Sequence, residues 1–265
     1  MVGALPGGMP ADAYEVICEV EPATRPDLMG VRHQIGVLSR VATAFLIPDN
    51  HIGRATVSSL AVAHEVSLMG GRAIACINAR DRNVLGFRRD LLTAAAYGVD
   101  ELLFVYGDRP ETGKRSDDLT VAAMIREARA FSAQHEQVKP FRIAVSCGLG
   151  TVPTWKLRAD ALYVQVSYSV DQLCAWRAGL DFDGPVYAGV LVLASAAMAH
   201  KLSNDVPQLA VPDRITSRLE TDPTAGVTMA CEHVTAIRDS QVFEGAHVIP
   251  VSRYREQATQ LERLL

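Results

Sequence analysis

Apolar residues occur along the chain in short runs, each bounded by polar or turn-forming residues. The runs are rich in Val, Ile, Leu and Ala, a composition typical of parallel strands that are buried on both faces. Eight strands are predicted in this way, at Tyr14–Val20, Val41–Ile47, Arg72–Asn78, Glu101–Tyr106, Phe141–Cys147, Ala161–Ser167, Val186–Val192 and Ala246–Val251.

Segments with a helical spacing of apolar residues lie between these runs. Val57–Leu68 brings Val57, Leu60 and Leu68 to one face, and Asn83–Tyr97 begins with an N-cap residue and ends before a glycine. Further helices are predicted at Leu119–Gln134, Asp171–Ala178, Ala194–Leu202, Asp213–Arg218, Ala225–Gln241 and Ser252–Leu265, with Asp213–Arg218 and Ala225–Gln241 as a paired helical insertion before the last strand.

Strands that alternate with helices over this length predict an α/β fold, a (β/α)8 TIM barrel. No linker divides the chain, so residues 1–265 are expected to form one barrel domain, with residues 1–12 as a flexible tail. Met1–Pro10 is rich in Gly and Pro and lacks the layout of a signal peptide.

Composition narrows the function classes. The 265 residues carry a net charge of −4, which argues against a nucleic-acid-binding or membrane-binding surface. No apolar run has the length of a membrane span, and the five cysteines are widely spaced without a CxxC pair. We therefore expect a cytoplasmic protein with free thiols and no metal site, acting on a small molecule; its oligomeric state is not indicated.

Residues that follow the carboxyl ends of barrel strands converge on one rim, where barrel enzymes have their active sites. Strand alternation places Ile17, Glu19 and Glu21 on one face, so Glu19 is expected to point into the lumen just below the rim. Burial there favours the protonated carboxyl, which suits a general acid. The alternative is an ion pair between Glu19 and a neighbouring arginine.

Four other residues near strand ends have a chemical interpretation. Asp108, which follows Gly107, is suited to the amino edge of a pyrimidinone ring or to a developing cation. The amide of Gln165 can form two hydrogen bonds with a heterocycle that presents a donor beside an acceptor. Tyr168 can stack on a flat ring, and Arg253 can bind a carboxylate. The structural alternatives are turn formation for Asp108 and a backbone hydrogen bond for Gln165. For Tyr168 the alternative is packing in the core, and for Arg253 an exposed position on the surface.

The segment Arg80–Asp81–Arg82 is interpreted as an ion-pair network that fixes the third βα loop. Asn50 and Asn78 are amides at the ends of neighbouring strands. The chain has no Ser/His/Asp set at the strand ends and no lysine there, which disfavours acyl transfer and imine chemistry.

Several short motifs occur in a recognisable order: Cys18–Pro22, Asp49–Asn50 with Gly53–Ala55, Arg80–Asn83, and Gly107–Asp108 followed by Pro110. Their order and spacing resemble the methylenetetrahydrofolate reductase family. The resemblance implies a barrel enzyme that reduces 5,10-methylenetetrahydrofolate to 5-methyltetrahydrofolate. By position, Glu19 matches the proton donor, Asp108 the carboxylate that faces pterin and cofactor, Gln165 a pterin-binding glutamine, and Arg253 a folate-side arginine.

The chain departs from family members that bind a flavin. They carry a histidine in the third strand, where this chain has Cys76, and a longer ligand-rich loop after the fifth strand. The sequence therefore resembles the flavin-independent actinobacterial type, with NADH as the hydride donor. Tyr168 and Asn50 are predicted to contact the tetrahydrofolate-type substrate, and Asn78, Tyr106 and Gly107 are predicted to contact the cofactor.

Two alternatives stay open from the sequence. The first is the same reaction through a bound FAD, and the second is a folate-binding barrel without catalysis. An unrelated barrel lyase is disfavoured because no lysine or metal cluster was found at the strand ends.

Overall fold

Eight parallel strands close into a barrel in which each strand pairs with its neighbours in the sequence and β8 pairs with β1. The computed structural model describes residues 14–265, and the tail predicted at residues 1–12 lies outside the described residues. This topology confirms the (β/α)8 prediction. The strands are β1 Glu15–Glu19, β2 Ala44–Ile47, β3 Ala73–Asn78, β4 Glu101–Val105, β5 Arg142–Cys147, β6 Ala161–Val164, β7 Val186–Leu191 and β8 Gly245–Ile249.

Helices surround the barrel. They are α1 Met29–Leu38, α2 Ser59–Leu68, α3 Val84–Ala96, α4 Val121–Gln134, α5 Val170–Ala178, α6 Ala196–Asp205, α7 Asp213–Thr221, α8 Ala225–Ser240 and α9 Tyr254–Leu261. Helix α1 is absent from the sequence prediction. It buries Val31, Ile35 and Leu38 at helical spacing, but Gly30 and Gly36 lower its intrinsic helix propensity.

The helical insertion before the last strand is present, with a different pairing from the one predicted. Helix α8 packs on β7 and β8 as the regular barrel helix, and α7 packs against α6. Helices α6 and α7 form the inserted pair, and they cover a separate apolar cluster that includes Leu193, Val211 and Leu219. Gly226 of α8 lies against the backbone of Leu193, where an added Cβ would be 1.8 Å from the carbonyl oxygen. Because Leu193 follows β7 and packs in one apolar cluster with residues of α6 and α7, the insertion lies beside the carboxyl end of β7.

The barrel lumen is closed at its amino-terminal end by an ionic cluster. Arg72 pairs with Glu15, and its Nη1 donates to Glu101 at 2.9 Å. Arg142 also reaches Glu101, at 3.3 Å, and the hydroxyl of Tyr187 donates to Glu15 at 2.5 Å. Apolar side chains such as those of Ile17 and Ile74 fill the middle of the lumen. A ligand can therefore approach the lumen from the carboxyl ends of the strands.

Candidate active site

A cavity of about 480 Å³ opens at the carboxyl-terminal mouth of the barrel. Five of the residues predicted for the site line it: Glu19, Tyr106, Gly107, Asp108 and Gln165. They come from β1 and from the segments that follow β4 and β6. The cavity therefore brings together the carboxylates and the amide on which the sequence interpretation depends.

Glu19 is the last residue of β1, and its side chain points inward as strand alternation predicts. Its partner is His247 of β8, whose Nε2 lies 3.4 Å from Glu19 Oε2. The two side chains are only 18% and 12% exposed, respectively. The β1–β8 register pairs Ile17 with His247, so Glu19 stands one inward position nearer the mouth. The polar neighbour of Glu19 is thus an imidazole, and not the arginine weighed as an alternative.

Asp108 lines the cavity and also fixes a neighbouring loop. Its Oδ2 accepts a hydrogen bond from the backbone N–H of Ile52 at 2.8 Å. Ile52 has a φ of 59°, which is strained for a β-branched residue. Gly53 follows with a φ of 74°, and an added Cβ would lie 2.1 Å from the carbonyl oxygen of Arg109. Asp108 thus has a structural contact as well as access to the cavity.

Gln165 and Tyr106 present polar atoms and a ring at the mouth. Both side chains are exposed, and both line the cavity. The ring of Tyr106 lies 4.8 Å below the guanidinium of Arg115. Gly107 has a φ of 96° and packs on Asn78, so this position favours a glycine and keeps the cavity wall free of a side chain.

The predicted ion-pair network of the third βα loop is present. Arg80 donates to both oxygens of Asp81, at 2.7 and 2.9 Å. Arg82 joins Asp49 and Asp90, each at 2.6 Å. Hydrogen bonds from the Arg80 guanidinium hold the pKa of Asp81 down, to about 2. These contacts fix the loop between β3 and α3.

Asn78 and Asn50 belong to the same network and do not line the central cavity. Asn78 is fully buried, and its Nδ2 donates to Asp49 at 2.7 Å and to Asp81 at 3.0 Å. Asn50 has a φ of 47° and donates to Asp81 at 3.0 Å. Both amides hold the loops in position. The direct ligand contacts predicted for them stay predictions.

Tyr168 and Arg253 also lie away from the central cavity. Tyr168 lines a different cavity, beside α7 and α8. Arg253 contacts Glu256 at 3.2 Å and the carbonyl oxygen of Ala194 at 3.5 Å. The sequence places both residues after strands β6 and β8, but side chains beyond a strand end need not point toward the barrel axis.

The cavity residues that the sequence does not indicate include His247 and Lys156. His247 occupies an inward position of β8, which strand alternation alone could have indicated. Lys156 enters from the loop after β5, and its Nζ donates to the carbonyl oxygen of Ser146 at 2.7 Å. Desolvation lowers the pKa of Lys156, an effect partly offset by Cys147. A lysine is therefore present in the mouth, although the sequence shows none at a strand end.

The thiols of Cys76 and Cys147 also face this cavity. Burial raises the pKa of the Cys147 thiol to about 11, and burial, reinforced by Asp49 and Glu19, raises that of Cys76. Both thiols are therefore neutral and poorly nucleophilic near neutral pH.

Across residues 14–265, no group of three or more His, Cys, Asp and Glu side chains is arranged to hold a metal ion. Within the same residues, no helix has the length and apolar character needed to cross a membrane. The chemistry available at the mouth comes from the Glu19–His247 pair, the Asp108 carboxylate, the Gln165 amide and the Lys156 ammonium group.

Known structures share the barrel. An uncharacterized protein from Clostridium thermocellum that binds two copies of 5-methyl-5,6,7,8-tetrahydrofolic acid superposes with a TM-score of 0.65, at 10% identity, over 96% of this chain and 97% of that one. Tryptophan synthase from M. tuberculosis gives 0.52, at 15% identity, over 96% and 90%. A GH18 chitinase from Pseudoalteromonas aurantia gives 0.52, at 11% identity, over 95% and 100%.

At these identities the similarities show the fold alone, since one barrel supports many chemistries. No family model and no curated protein sequence matches the chain.

The lowered pKa of Asp81 predicts an acid-dependent loss of stability. The pKa is about 2 in the folded protein against 3.8 as its ordinary value. Asp81 thus stabilises the fold fully above pH 3.8 and loses this contribution as the pH falls toward 2. Urea unfolding across this range should show that Asp81→Asn removes part of the pH dependence. Asp117→Asn is the control, because Asp117 is exposed and pairs with Arg115 at the surface; equal effects of the two substitutions would contradict the prediction.

Proposed function

We propose that this protein reduces 5,10-methylenetetrahydrofolate to 5-methyltetrahydrofolate with a hydride from NADH. The observation that carries the proposal is the shared cavity: Glu19 beside His247, with Asp108 and Gln165 on the same walls. An acid, a carboxylate and an amide around one cavity match what a reduced pterin requires. The motif resemblance and the folate bound by the C. thermocellum neighbour support the same substrate class.

Glu19 is assigned the first chemical step. The imidazolidine ring of the substrate has to open before its methylene carbon can accept hydride. A proton from Glu19 to N10 breaks the bond between N10 and the methylene carbon, and leaves an iminium cation at N5. General acid catalysis of this kind contributes about 10²–10⁴-fold to the rate. His247 Nε2 lies 3.4 Å from Glu19 Oε2 and has no hydrogen-bond partner among residues 14–265, so it is assigned as the group that would return a proton to Glu19 once the two side chains move into hydrogen-bond contact.

Asp108 and Gln165 are assigned to the pterin. The N–H of Ile52 occupies Asp108 Oδ2, and Oδ1 can accept from the amino edge of the ring. The negative charge of Asp108 also stabilises the iminium cation. Gln165 Oε1 already accepts from the backbone N–H of Val166 at 3.2 Å, so its Nε2 donor and the second lone pair of Oε1 are left for the opposite part of the ring edge. Together with Asp108, these contacts would fix the orientation of the methylene carbon.

When bound, NADH would supply the hydride, so that each methylene group reduced would consume one NADH and one proton, the proton passing through Glu19. Tyr106 and Gly107 border the cavity where a second flat ring can enter. Lys156 brings a positive charge to the same mouth, where it can attract the phosphates of the dinucleotide.

The alternative with bound FAD is less well supported by the residues present. The flavin pyrophosphate needs several cationic or N–H donors. In the loop after β5 the cationic side chains are Lys156 and Arg158, which suffice for a transient ionic contact with NADH but are fewer than a permanently bound flavin needs. We therefore favour direct transfer from NADH.

A folate-binding barrel without catalysis is the second candidate, favoured by the fact that the C. thermocellum neighbour binds 5-methyl-5,6,7,8-tetrahydrofolic acid. It explains Asp108 and Gln165 equally well. It gives no role to an acid and an imidazole held together at the lumen, since binding alone does not require proton transfer.

NADH oxidation in the presence of 5,10-methylenetetrahydrofolate separates these possibilities. We expect NADH to be consumed without added FAD, with no increase when FAD is supplied. Consumption that depends on FAD would favour the flavin alternative. Folate binding without NADH consumption under either condition would contradict the reductase and favour the binding protein.

A further inference from the structure

A side cavity of about 500 Å³ continues from the barrel mouth. Gly148, Gln165 and Val166 line both this side cavity and the central cavity, so the two spaces adjoin. The other walls of the side cavity come from the segments after β5 and β6, from α5 and from the connection between α6 and α7. A ligand held in the mouth can therefore extend into the side cavity, whose volume is typical of a site for a small molecule.

Four side chains of the side cavity carry hydrogen-bond donors that an occupant can reach. They are the exposed side chains of Gln165, Gln172, Gln208 and Arg214. Gln172 Oε1 accepts a hydrogen bond from Ser167 Oγ at 3.1 Å, so its Nε2 donor is the group left for a ligand. Gln165 is in the same situation, because its Oε1 accepts from the backbone. The accessible polar groups of this cavity are therefore mainly donors.

The charge of the side cavity differs from that of the central cavity. Among the residues that the structure describes, no Asp or Glu lines the side cavity, whereas Glu19, Asp49 and Asp108 line the central one. Arg214 brings a positive charge to the side cavity, and Lys156 brings another to the mouth that adjoins it. Donors and cations without a neighbouring carboxylate favour a negatively charged occupant that is rich in acceptor oxygens.

The order of the strands indicates which reactant reaches the side cavity. In a closed barrel of eight strands, β1 lies opposite β5. Glu19, at the end of β1, therefore faces Gly148 across the mouth. Because Glu19 is assigned to N10 of the folate, the arm that N10 carries leaves on the side of β1 and β8. The side cavity lies on the opposite side, beside the ends of β5 and β6, and is left to the dinucleotide.

We propose that the side cavity binds the adenosine diphosphate half of NADH, an inference that rests on the proposed function. The diphosphate accepts hydrogen bonds from the guanidinium of Arg214 and from the amide Nε2 atoms of Gln172 and Gln208. The adenine ring packs against the apolar side chains of the wall, those of Leu149, Leu209 and Pro212. The rest of the dinucleotide passes Gly148, where no side chain narrows the way to the central cavity.

Titration calorimetry with ADP-ribose, which lacks the nicotinamide, tests this site without turnover. One molecule is expected to bind per chain in the absence of folate. Arg214→Met is expected to weaken binding about tenfold, and Gln208→Leu about threefold, because a hydrogen bond from a charged donor contributes more than one from a neutral donor. Arg218→Met is the matched control: Arg218 is an exposed arginine on the same helix, does not line the side cavity, and should leave the affinity unchanged.

A blocking variant tests the location. Ala210 lines the side cavity at an exposed position before α7, so Ala210→Trp fills the space without burying a new group in the core. We expect it to abolish binding of ADP-ribose with an unchanged melting temperature. The arm of folate is tested with 4-aminobenzoylglutamate as a competitor, which should not displace ADP-ribose from the wild-type chain.

The outcomes separate this site from the reductase. Binding of ADP-ribose that Arg214→Met and Ala210→Trp weaken supports the site, even if the wild-type chain fails to oxidise NADH, a result that would contradict only the reductase. No binding to the wild-type chain, or wild-type affinity in both variants, would overturn the site even if NADH is oxidised. Displacement of ADP-ribose by 4-aminobenzoylglutamate would assign the side cavity to folate and would overturn the proposal as well.

Discussion

Glu19→Gln is expected to lower the turnover number for 5,10-methylenetetrahydrofolate by about 10²–10⁴-fold while folate affinity is retained. Glutamine keeps the size and hydrogen-bonding capacity of the side chain but cannot give a proton to N10. The loss should appear in kcat, because ring opening is required for hydride transfer and binding relies on Asp108 and Gln165. Steady-state kinetics combined with a direct folate-binding measurement separates the two effects.

Glu21→Gln is the matched control for this substitution. Glu21 lies two residues further along, outside the described strand, and does not line the cavity. Its side chain is exposed and sits 3.7 Å from His51. Turnover should be close to wild type in Glu21→Gln, and equal turnover in the two variants would remove Glu19 from the role of proton donor.

Arg82→Met is expected to lower the free energy of unfolding by about 3–5 kcal/mol. Arg82 bridges Asp49 and Asp90 at 2.6 Å each, and all three side chains are largely buried. Methionine fills a similar volume but leaves the buried Asp49 without its cation, and leaves Asp90 with only the exposed Arg89 as a partner. Burial of the guanidinium lowers the pKa of Arg82, but the two carboxylates raise it by more, so the net shift of this pKa is upward.

Urea denaturation measures this difference, with Arg89→Met as the control. Arg89 also pairs with Asp90, at 2.9 Å, but its side chain is 74% exposed. An exposed ion pair of this kind contributes about 0–1 kcal/mol. If the two substitutions destabilise the protein equally, the buried network does not have the structural importance that its geometry indicates.

The barrel was predictable because strands buried on both faces leave a simple signal, an apolar run of limited length. Strand alternation also fixed the direction of Glu19, and the structure places that carboxylate in the lumen. Helix α1 was missed because glycines interrupt it, and its apolar residues acquire their meaning from packing against the barrel. The pairing of α7 with α6 is likewise decided by packing that no local pattern contains.

The site was predictable only where a side chain belongs to a strand or follows it directly. The residues that satisfy this condition are Glu19, Tyr106, Gly107, Asp108 and Gln165. Tyr168 and Arg253 lie on segments whose path is set by the insertion and by α9, so their directions depend on tertiary contacts. Lys156 reaches the mouth from a loop, and His247 gains significance only when barrel closure brings β8 beside β1.

Transfer of deuterium from NADH labelled at C4 of the nicotinamide tests the central claim most directly. Mass spectrometry of the folate product should show one deuterium in the new methyl group, with wild-type protein and no added flavin. A label lost to solvent would indicate an exchangeable intermediate carrier such as a reduced flavin. Bound folate that remains unreduced, with no deuterium incorporated, would contradict hydride transfer at this barrel mouth.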